Sequence, residues 1–419
     1  MFRISLDILY IKIICPEFYL HGFDYSPDFF KHAYSYLSLI IMSIFMANCS
    51  KKVNVSYTML MFLFLFAYVP NGSLYAQMDL DTSYMNISNL YWLCMISAYR
   101  LLPNMLSENK SMYIKHKNFL IKAVPYIFLI ILLGFSYQYN GLTINLNLAD
   151  VYDMRMESRD NPLGRIMGTL IAWAGSIVFP LTIVYAIKEK KFIKAMIFLF
   201  GQAAAFSING TKTWLFIVVA SIIGVLFIRR DKNIYHMPLM FAGINFVSYL
   251  EYLKFDTSFV ANYIVRRVFF STSLNNWYHI LFFTDNEPLY FLHSSIGGLL
   301  KSLGFESPYP DSISLIIGQM YYSNETNASS GTIADAYDNF GLFGVIFLPF
   351  FVVFFLKLMD RMSVGLQIRY LLPLIIVTAI YLLNGNIFTV LLTYGYLFAL
   401  WYIKYQKRDR EDPTEKTAV

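Results

Sequence analysis

Charged residues are scarce in this sequence of 419 residues, and their scarcity excludes an ordinary soluble fold. Asp, Glu, Lys and Arg make up 14% of the chain, and 57% of the residues are hydrophobic, whereas a soluble domain is about 25% charged. A bilayer core of about 30 Å takes roughly 20 residues per spanning helix, so the chain has room for about a dozen spans. We therefore expect an all-α, polytopic integral membrane protein.

Cysteine and cofactor-binding motifs are also scarce. The three cysteines, Cys15, Cys49 and Cys94, lie in or beside apolar segments, with no CxxC and no histidine at metal-ligand spacing. No P-loop, GxGxxG, HExxH or GxSxG with its partners occurs. We therefore expect neither a bound metal nor a cofactor. The basic residues form small groups between apolar runs and no continuous stripe, which argues against nucleic-acid binding.

Long apolar runs are what the chain has in abundance, and eleven of them are long enough to span a membrane. A twelfth segment, residues 4–20, is interrupted by Asp7, Lys12, Pro16 and Glu17, so we expect it to span poorly or to lie in the interface. We predict one membrane domain, residues 1–403, with 11–12 transmembrane helices, and a cytoplasmic tail, residues 404–419. The eleven runs begin near Tyr34, Val55, Met85, Phe119, Arg165, Phe192, Thr213, Tyr235, Tyr337, Gln367 and Ile387.

Positive charge alternates along the connections between these runs, and the positive-inside rule assigns the lysine-rich connections to the cytoplasm. The opposite connections include the outer loops at about residues 140–164 and 251–335, of which the second is the long one. We therefore expect both of these stretches to be extracytoplasmic. The cytoplasmic groups are Lys51-Lys52, Lys110 to Lys117, Lys188 to Lys194, Arg229 to Lys232, Arg361/Arg369 and Lys404 to Arg410.

Arginine is the exception to this rule, because the outer loops carry Arg155, Arg159 and Arg165 in one stretch and Arg266 and Arg267 in the other. A guanidinium binds phosphate oxygens in a bidentate way and stays charged. The pattern indicates an extracytoplasmic site for a phosphate or diphosphate. The alternative is that these arginines only pair with Asp153, Glu157 and Asp160 of the first loop, which is worth about 0 to 1 kcal/mol per pair.

Lys212 follows a Gly-Thr turn at the predicted outer mouth of a helix, where it either contacts a phosphate or snorkels to the interface. The long outer stretch also contains side chains that could act as a general base and accept a proton from a sugar hydroxyl group. Asp335 and Asp338 open a predicted helix, where carboxylates also suit the helix N-terminus electrostatically. The residue types alone do not choose among the candidates of the long outer stretch, which are His279, Asp285, Glu287, His293, Asp311, Glu325 and Asp335.

Three short motifs carry a family resemblance. They are Asn327-Ala-Ser-Ser-Gly-Thr-Ile-Ala-Asp-Ala-Tyr-Asp-Asn-Phe-Gly-Leu-Phe-Gly344, Gly210-Thr-Lys-Thr, and Val265-Arg-Arg-Val-Phe-Phe. With the membrane layout, they resemble the bacterial O-antigen and capsule repeat-unit polymerases, the Wzy-type family, which are related to the O-antigen ligases. The resemblance runs from about Tyr34 to Ile403.

The resemblance implies a GT-C-like glycosyltransferase architecture in the bacterial inner membrane, with the active site facing the periplasm. The implied reaction moves a growing glycan from its undecaprenyl-diphosphate carrier to the terminal sugar of the next lipid-linked repeat unit, without a metal. The implied partners are that carrier, membrane lipid, and a chain-length regulator and a flippase of the same pathway. The predicted contacts with diphosphate or glycan are Arg155, Arg159, Arg266, Arg267 and Lys212, and the predicted bases are His293 or Asp335.

Two rival functions fit parts of the same sequence. An O-antigen ligase, which moves the finished glycan to lipid A core, would share the layout, the long outer stretch and the arginines. A flippase for the lipid-linked unit is expected to bury charged residues in its helices and to have short loops on both sides. The long stretch at residues 251–335 argues against the flippase.

Overall fold

The fold was analysed in a computed structural model. It describes residues 1–50, 52–104, 119–141, 164–228, 231–322 and 327–406, and every secondary-structure element of these residues is helical. The predicted all-α class is confirmed for this part of the chain.

We number the helices α1 to α16 along the described residues. Several contain a π-helical turn, in which the ring closed by each backbone hydrogen bond is one residue wider than in an α-helix. The bounds are α1 2–18, α2 Phe29–Ala47, α3 Val55–Gln77, α4 Thr82–Leu101, α5 Phe119–Asn140, α6 165–188, α7 Phe192–Asn209, α8 Lys212–Phe227, α9 Met237–Phe255, α10 261–285, α11 Gly297–Ser302, α12 Ile313–Tyr322, α13 Thr332–Met362, α14 Leu372–Asn384, α15 Ile387–Leu391 and α16 Tyr396–Lys404.

A helix occupies each of the eleven apolar runs that the sequence predicts to span. Within the described residues, six helical stretches are long and apolar enough to cross a membrane, and α7, α8 and residues 368–384 form shorter apolar helices. These findings are consistent with a helical membrane protein, and the count of 11–12 spans stays a prediction. The six stretches are Phe29–Ala47, Val55–Gln77, Ile121–Gln138, Ile166–Lys188, Thr332–Met362 and Ile387–Lys404.

The chain divides into two compact units. Unit 1 comprises Met1–Asn104, Lys232–Leu356 and Ala379–Val390, and unit 2 comprises Met105–Asp231, Lys357–Thr378 and Leu391–Val419. Each unit has a hydrophobic core of its own.

Unit 2 has an aromatic core that is built around Trp214 of α8, which packs with Phe179 and Phe198 of α6 and α7. Gly175 lies in a π-helical turn of α6, and a Cβ there would lie 2.7 Å from a ring carbon of Trp214. Gln202 of α7 donates hydrogen bonds of 2.7 Å to the carbonyl oxygens of Gly175 and Trp214. The glycine thus admits the indole ring, and the glutamine satisfies two buried carbonyl groups.

Unit 1 contains α1, and this helix is packed into the core although charged residues interrupt it. Its buried side carries Leu6, Leu9, Tyr10, Ile13 and Ile14, all at most 1% exposed. The four residues that interrupt its apolar pattern differ in their positions. Lys12, Pro16 and Glu17 are exposed, whereas Asp7 is buried and pairs with Arg3.

The buried pair of α1 has a nearly complete set of hydrogen bonds. Arg3 Nε donates to Asp7 Oδ1 at 2.9 Å, Tyr36 donates to Asp7 Oδ2 at 2.7 Å, and the Ser73 hydroxyl donates to Asp7 Oδ1. Arg3 Nη2 donates to Ser35 at 3.3 Å. Because α2 and α3 supply these hydroxyl groups, α1 packs against them despite its two charges.

Replacing Asp7 by asparagine is expected to destabilise the protein strongly, because it leaves the Arg3 guanidinium buried without its counter-charge. Breaking a buried pair in this way costs about 3–5 kcal/mol. The matched control is Asp79→Asn, which breaks the pair between Lys31 and an Asp79 that is 83% exposed, at a cost of about 0–1 kcal/mol. Thermal unfolding in detergent, followed by tryptophan fluorescence, compares the two. Equal melting temperatures for both variants would contradict this account of α1.

Candidate functional site

The predicted site residues fall into three groups. Arg155, Arg159 and the side chain of Arg165 lie outside the described part of the structure. Lys212 begins α8 in unit 2. Four others, Arg266, Arg267, His293 and Asp335, belong to unit 1, so this unit contains the site that can be described.

Residues 251–335, the predicted long outer stretch, are largely helical where they are described. They contain α10, α11 and α12 and the start of α13. The longest helix that lies wholly within this stretch is α10, which begins as a π-helix, Ala261–Phe270, and continues as an α-helix, Ser271–Asp285. Its many polar residues hide it from a search for apolar runs.

The polar residues of α10 hold the backbone of residues 328–331, which begin the longest of the three family-like motifs. Asn275 donates to the Ser329 carbonyl oxygen at 3.1 Å, and the Gly331 amide donates to Asn276 Oδ1 at 3.0 Å. His279 Nε2 lies 2.9 Å from the Ala328 carbonyl oxygen. The side chains come from positions i, i+1 and i+4 of one helix, which share a face. The polar face of α10 is therefore an internal scaffold.

His279 also bonds to Asp338 of α13, and both side chains are fully buried. His279 Nδ1 lies 2.6 Å from Asp338 Oδ2. Since the Ala328 carbonyl can only accept, Nε2 carries a hydrogen, and the histidine and the carboxyl share one further proton at the Nδ1 contact. Burial alone would lower the pKa of His279, but the charge of Asp338 and the hydrogen bonds to Asp338 and Ala328 outweigh it and raise that pKa above its ordinary value.

The second carboxylate oxygen of Asp338 has a different environment from the first. Asp338 Oδ1 is buried and has no hydrogen-bond partner among the described residues. A buried carboxylate oxygen without a donor costs free energy, and such an atom needs an explanation in a folded protein. It is a position that a hydroxyl group could fill.

Both carboxylate oxygens of Asp335, a predicted base, accept hydrogen bonds from neighbouring groups. Its Oδ2 accepts the backbone N–H of Ile387 at 2.8 Å, and its Oδ1 accepts Asn339 Nδ2 at 2.9 Å. The first contact satisfies the first amide of α15, so Asp335 of α13 caps a different helix from its own. These contacts favour the structural interpretation of Asp335.

Both ring nitrogens of His293, the other predicted base, also have hydrogen-bond partners. Its Nδ1 accepts the backbone N–H of Ile313 at 3.2 Å, so its Nε2 carries the hydrogen and donates to Ser307 at 2.6 Å. Partial burial and the charge of Lys301 lower the pKa of His293, which keeps the ring neutral at neutral pH. The ring thus fixes the start of α12, and both nitrogens are used.

The end of the longest family-like motif, Asn339-Phe-Gly-Leu-Phe-Gly344, encodes a break in α13. Phe340 and Gly341 leave the helical conformation, and Gly341, at φ 58° and ψ −142°, adopts a backbone region essentially restricted to glycine. The break is bonded to a neighbouring segment, since the Leu289 amide donates to the Asp338 carbonyl oxygen at 2.8 Å and the Phe291 amide to Asn339 Oδ1. The kink and the segment at residues 289–291 thus fix the backbone around Asp338.

Arg266 is a buried cation on the π-helical part of α10. It is 8% exposed, its Nε and Nη2 donate to Asn262 Oδ1, and its guanidinium carbon lies 4.7 Å from the centre of the Phe18 ring. Burial and the charge of the exposed Arg267 lower the pKa of Arg266 to about 10, so it remains positive at neutral pH. Among the described residues, no carboxylate pairs with Arg266 or Arg267.

The end of α1 and the residues after it complete this cationic site. Phe18 lies against the Arg266 guanidinium, and burial together with the charges of Arg266 and Arg267 lowers the pKa of His21. Gly22 has φ 84°, and a Cβ there would lie 2.8 Å from the Tyr278 hydroxyl of α10. Sequence reasoning missed this contribution because a contact between residues 18–22 and α10 leaves no pattern in the sequence.

Replacing Gly344 by alanine is expected to destabilise the protein, because its Cβ would lie 1.9 Å from the Ala336 carbonyl oxygen across the kink. Overpacking of this kind costs about 1–3 kcal/mol or more. Gly134→Ala in α5 is the control, since nothing lies within 4 Å of a Cβ at that position; it is expected to be neutral or to stabilise by up to about 1 kcal/mol. Melting temperatures in detergent check both, and a Gly344→Ala protein as stable as the wild type would show that α13 is not broken here.

Comparison with known proteins adds no relative to this picture. No family model, no curated protein and no solved structure matches the chain. The resemblance to repeat-unit polymerases therefore stays a prediction, and the function is argued from the residues of this chain.

Proposed function

We propose that this protein polymerises undecaprenyl-diphosphate-linked oligosaccharide repeat units into O-antigen or capsular polysaccharide at the periplasmic face of the bacterial inner membrane. The observation that carries the proposal is Arg266, a buried guanidinium whose described partners are neutral, beside an exposed Arg267. Both belong to a stretch that the charge distribution predicts to be extracytoplasmic. The resemblance of the sequence to this polymerase family supports the same reaction.

An anionic ligand explains why a guanidinium is kept in this environment. A buried cation without a counter-charge is costly, because its hydration is lost and an amide oxygen replaces it only in part. A diphosphate offers several negative oxygens at the spacing of the guanidinium fork. Two adjacent arginines are therefore a suitable cradle for the diphosphate of a lipid carrier at the membrane surface.

The chemistry of the proposed reaction needs no metal. A hydroxyl group of the acceptor sugar attacks the anomeric carbon of the donor, and the bond from that carbon to the carrier diphosphate breaks. A base takes the hydroxyl proton, and fixed cations stabilise the charge on the departing diphosphate.

A gene deletion separates polymerase from ligase. Loss of a polymerase leaves lipid A core capped with one repeat unit, because transfer to core continues. Loss of a ligase leaves bare core, with polymer stranded on its lipid carrier. We expect the single-unit cap, and bare core with stranded polymer would contradict the proposal.

Replacing Arg266 is expected to shorten or abolish the polymer, because a hydrogen bond to a charged group is worth about 1.5–3 kcal/mol and its loss slows a step about ten- to hundredfold. Arg266→Ala should give mainly single repeat units, and Arg266→Lys should retain part of the ladder because it keeps the charge but loses the bidentate fork. Chain length on a gel is the measurement, with protein levels checked by immunoblotting.

The matched control is Arg361→Ala, which removes an exposed arginine near the end of α13 on the side predicted to be cytoplasmic. It should give the wild-type ladder. If both Arg266 variants also gave the wild-type ladder at normal protein levels, a diphosphate contact at Arg266 would be excluded.

A further inference from the structure

The buried arginine and the buried carboxylate of unit 1 are too far apart to serve one reaction centre. Arg266 and His279, the partner of Asp338, both lie on α10 and are 279 − 266 = 13 positions apart. At about 1.5 Å per residue this is close to 20 Å along the helix, and somewhat less through its π-helical part. A base must come within about 3 Å of the hydroxyl that it deprotonates. A diphosphate at Arg266 is therefore not the group that leaves when Asp338 acts as base.

Asp338 is the best placed base among the groups around the kink of α13. Both oxygens of Asp335 and both nitrogens of His293 have partners, whereas Asp338 Oδ1 has none among the described residues. Its other oxygen is bonded to His279, which fixes the orientation of the carboxyl group. Asp338 thus combines an open position with a fixed geometry.

The polymerisation reaction has two lipid-linked substrates, and only one of them loses its diphosphate. The acceptor keeps its diphosphate at one end while a hydroxyl of its terminal sugar reacts at the other. A distance of several sugar residues therefore separates the bound phosphate of the acceptor from the reacting hydroxyl. The separation of about 20 Å along α10 between Arg266 and His279, the partner of Asp338, is comparable with such a distance.

The geometry points to an acceptor site that extends along α10. In it, Arg266 and Arg267 hold the diphosphate of the acceptor repeat unit, and Asp338 Oδ1 accepts the proton of its terminal sugar hydroxyl. This assignment rests on the proposed polymerase function and specifies which of the two substrates the site takes. Asp338 is 2% exposed, so its neighbours must move when the acceptor binds.

The step balances without a co-reactant. The acceptor hydroxyl transfers its proton to Asp338, and its oxygen forms a bond to the anomeric carbon of the donor. The bond from that carbon to the donor diphosphate breaks, and the electron pair leaves with the lipid diphosphate. The proton on the His279–Asp338 pair then passes to solvent.

A two-acceptor assay tests this assignment with the full-length protein in lipid nanodiscs. The donor is a lipid-diphosphate-linked unit whose terminal hydroxyl is methylated, so that it cannot accept. One acceptor carries the lipid diphosphate through an unreactive carbon–phosphorus linkage, and the other carries the same oligosaccharide on an uncharged group. Arg266→Ala and Arg267→Ala should each raise KM for the charged acceptor about ten- to hundredfold, with little change in KM for the uncharged one.

Asp338→Asn should lower kcat about 10²- to 10⁴-fold with both acceptors and leave KM unchanged, as expected for loss of a general base. The variant should fold, because the asparagine amide can donate to His279 Nδ1 while Nε2 still donates to Ala328. Its melting temperature checks this, and Arg361→Ala is the control for unchanged activity.

The outcomes separate the proposed function from the acceptor assignment. If the wild-type protein forms no product from any pair of substrates, the polymerase function fails and the assignment with it. If the wild-type protein is active but Arg266→Ala lowers kcat equally with both acceptors, Arg266 serves the leaving group and the assignment is wrong. Full activity of a folded Asp338→Asn protein would exclude Asp338 as the base.

Discussion

The hydrogen bonds of His279 join α10 to two points of unit 1 that follow it by 49 and 59 positions in the sequence. From α10, the ring bonds to the Ala328 carbonyl oxygen and to Asp338 of the kinked helix α13. An ion pair in a buried environment is tolerated only when its hydrogen bonds are made, and it then fixes the surrounding geometry closely. Because α10 also carries Arg266, the same contacts set the distance between the cationic site and the acid. The proposed acceptor site depends on this one arrangement.

The helices of this protein follow from its sequence to a large extent, and the exceptions have physical causes. Apolar runs locate α2 to α9 and α13 to α16, since helices of a membrane protein must be apolar where lipid surrounds them. The same reasoning misses α10, whose asparagines and histidine bond to the backbone of residues 328–331 instead of water. Nor does the sequence show that α1 packs into unit 1, where Asp7 is buried with hydrogen bonds from Arg3 of its own helix and from Tyr36 and Ser73 of α2 and α3. In both cases the decisive partners come from other helices.

Some residues of the candidate site can also be identified from the sequence, and others cannot. Arginine in a stretch that the positive-inside rule assigns to the outside is a signal within the sequence, and it points to Arg266. The choice of base is different, because it depends on which polar atoms other groups already occupy. Asp335 and His293 are used in fixing the starts of α15 and α12, whereas Asp338 keeps one oxygen without a described partner. Only the spacing of Asn275, Asn276 and His279 on one helix face could have drawn attention to this region.

The central claim is that the arginine site of α10 faces the periplasm, where a lipid carrier presents its phosphates. It can be measured with a single cysteine at position 267, in a chain whose Cys15, Cys49 and Cys94 have been replaced by serine. The exposed position should react with a membrane-impermeant maleimide in cells whose outer membrane alone has been opened. Labelling that occurs only after the inner membrane is permeabilised would place the site in the cytoplasm and contradict the account.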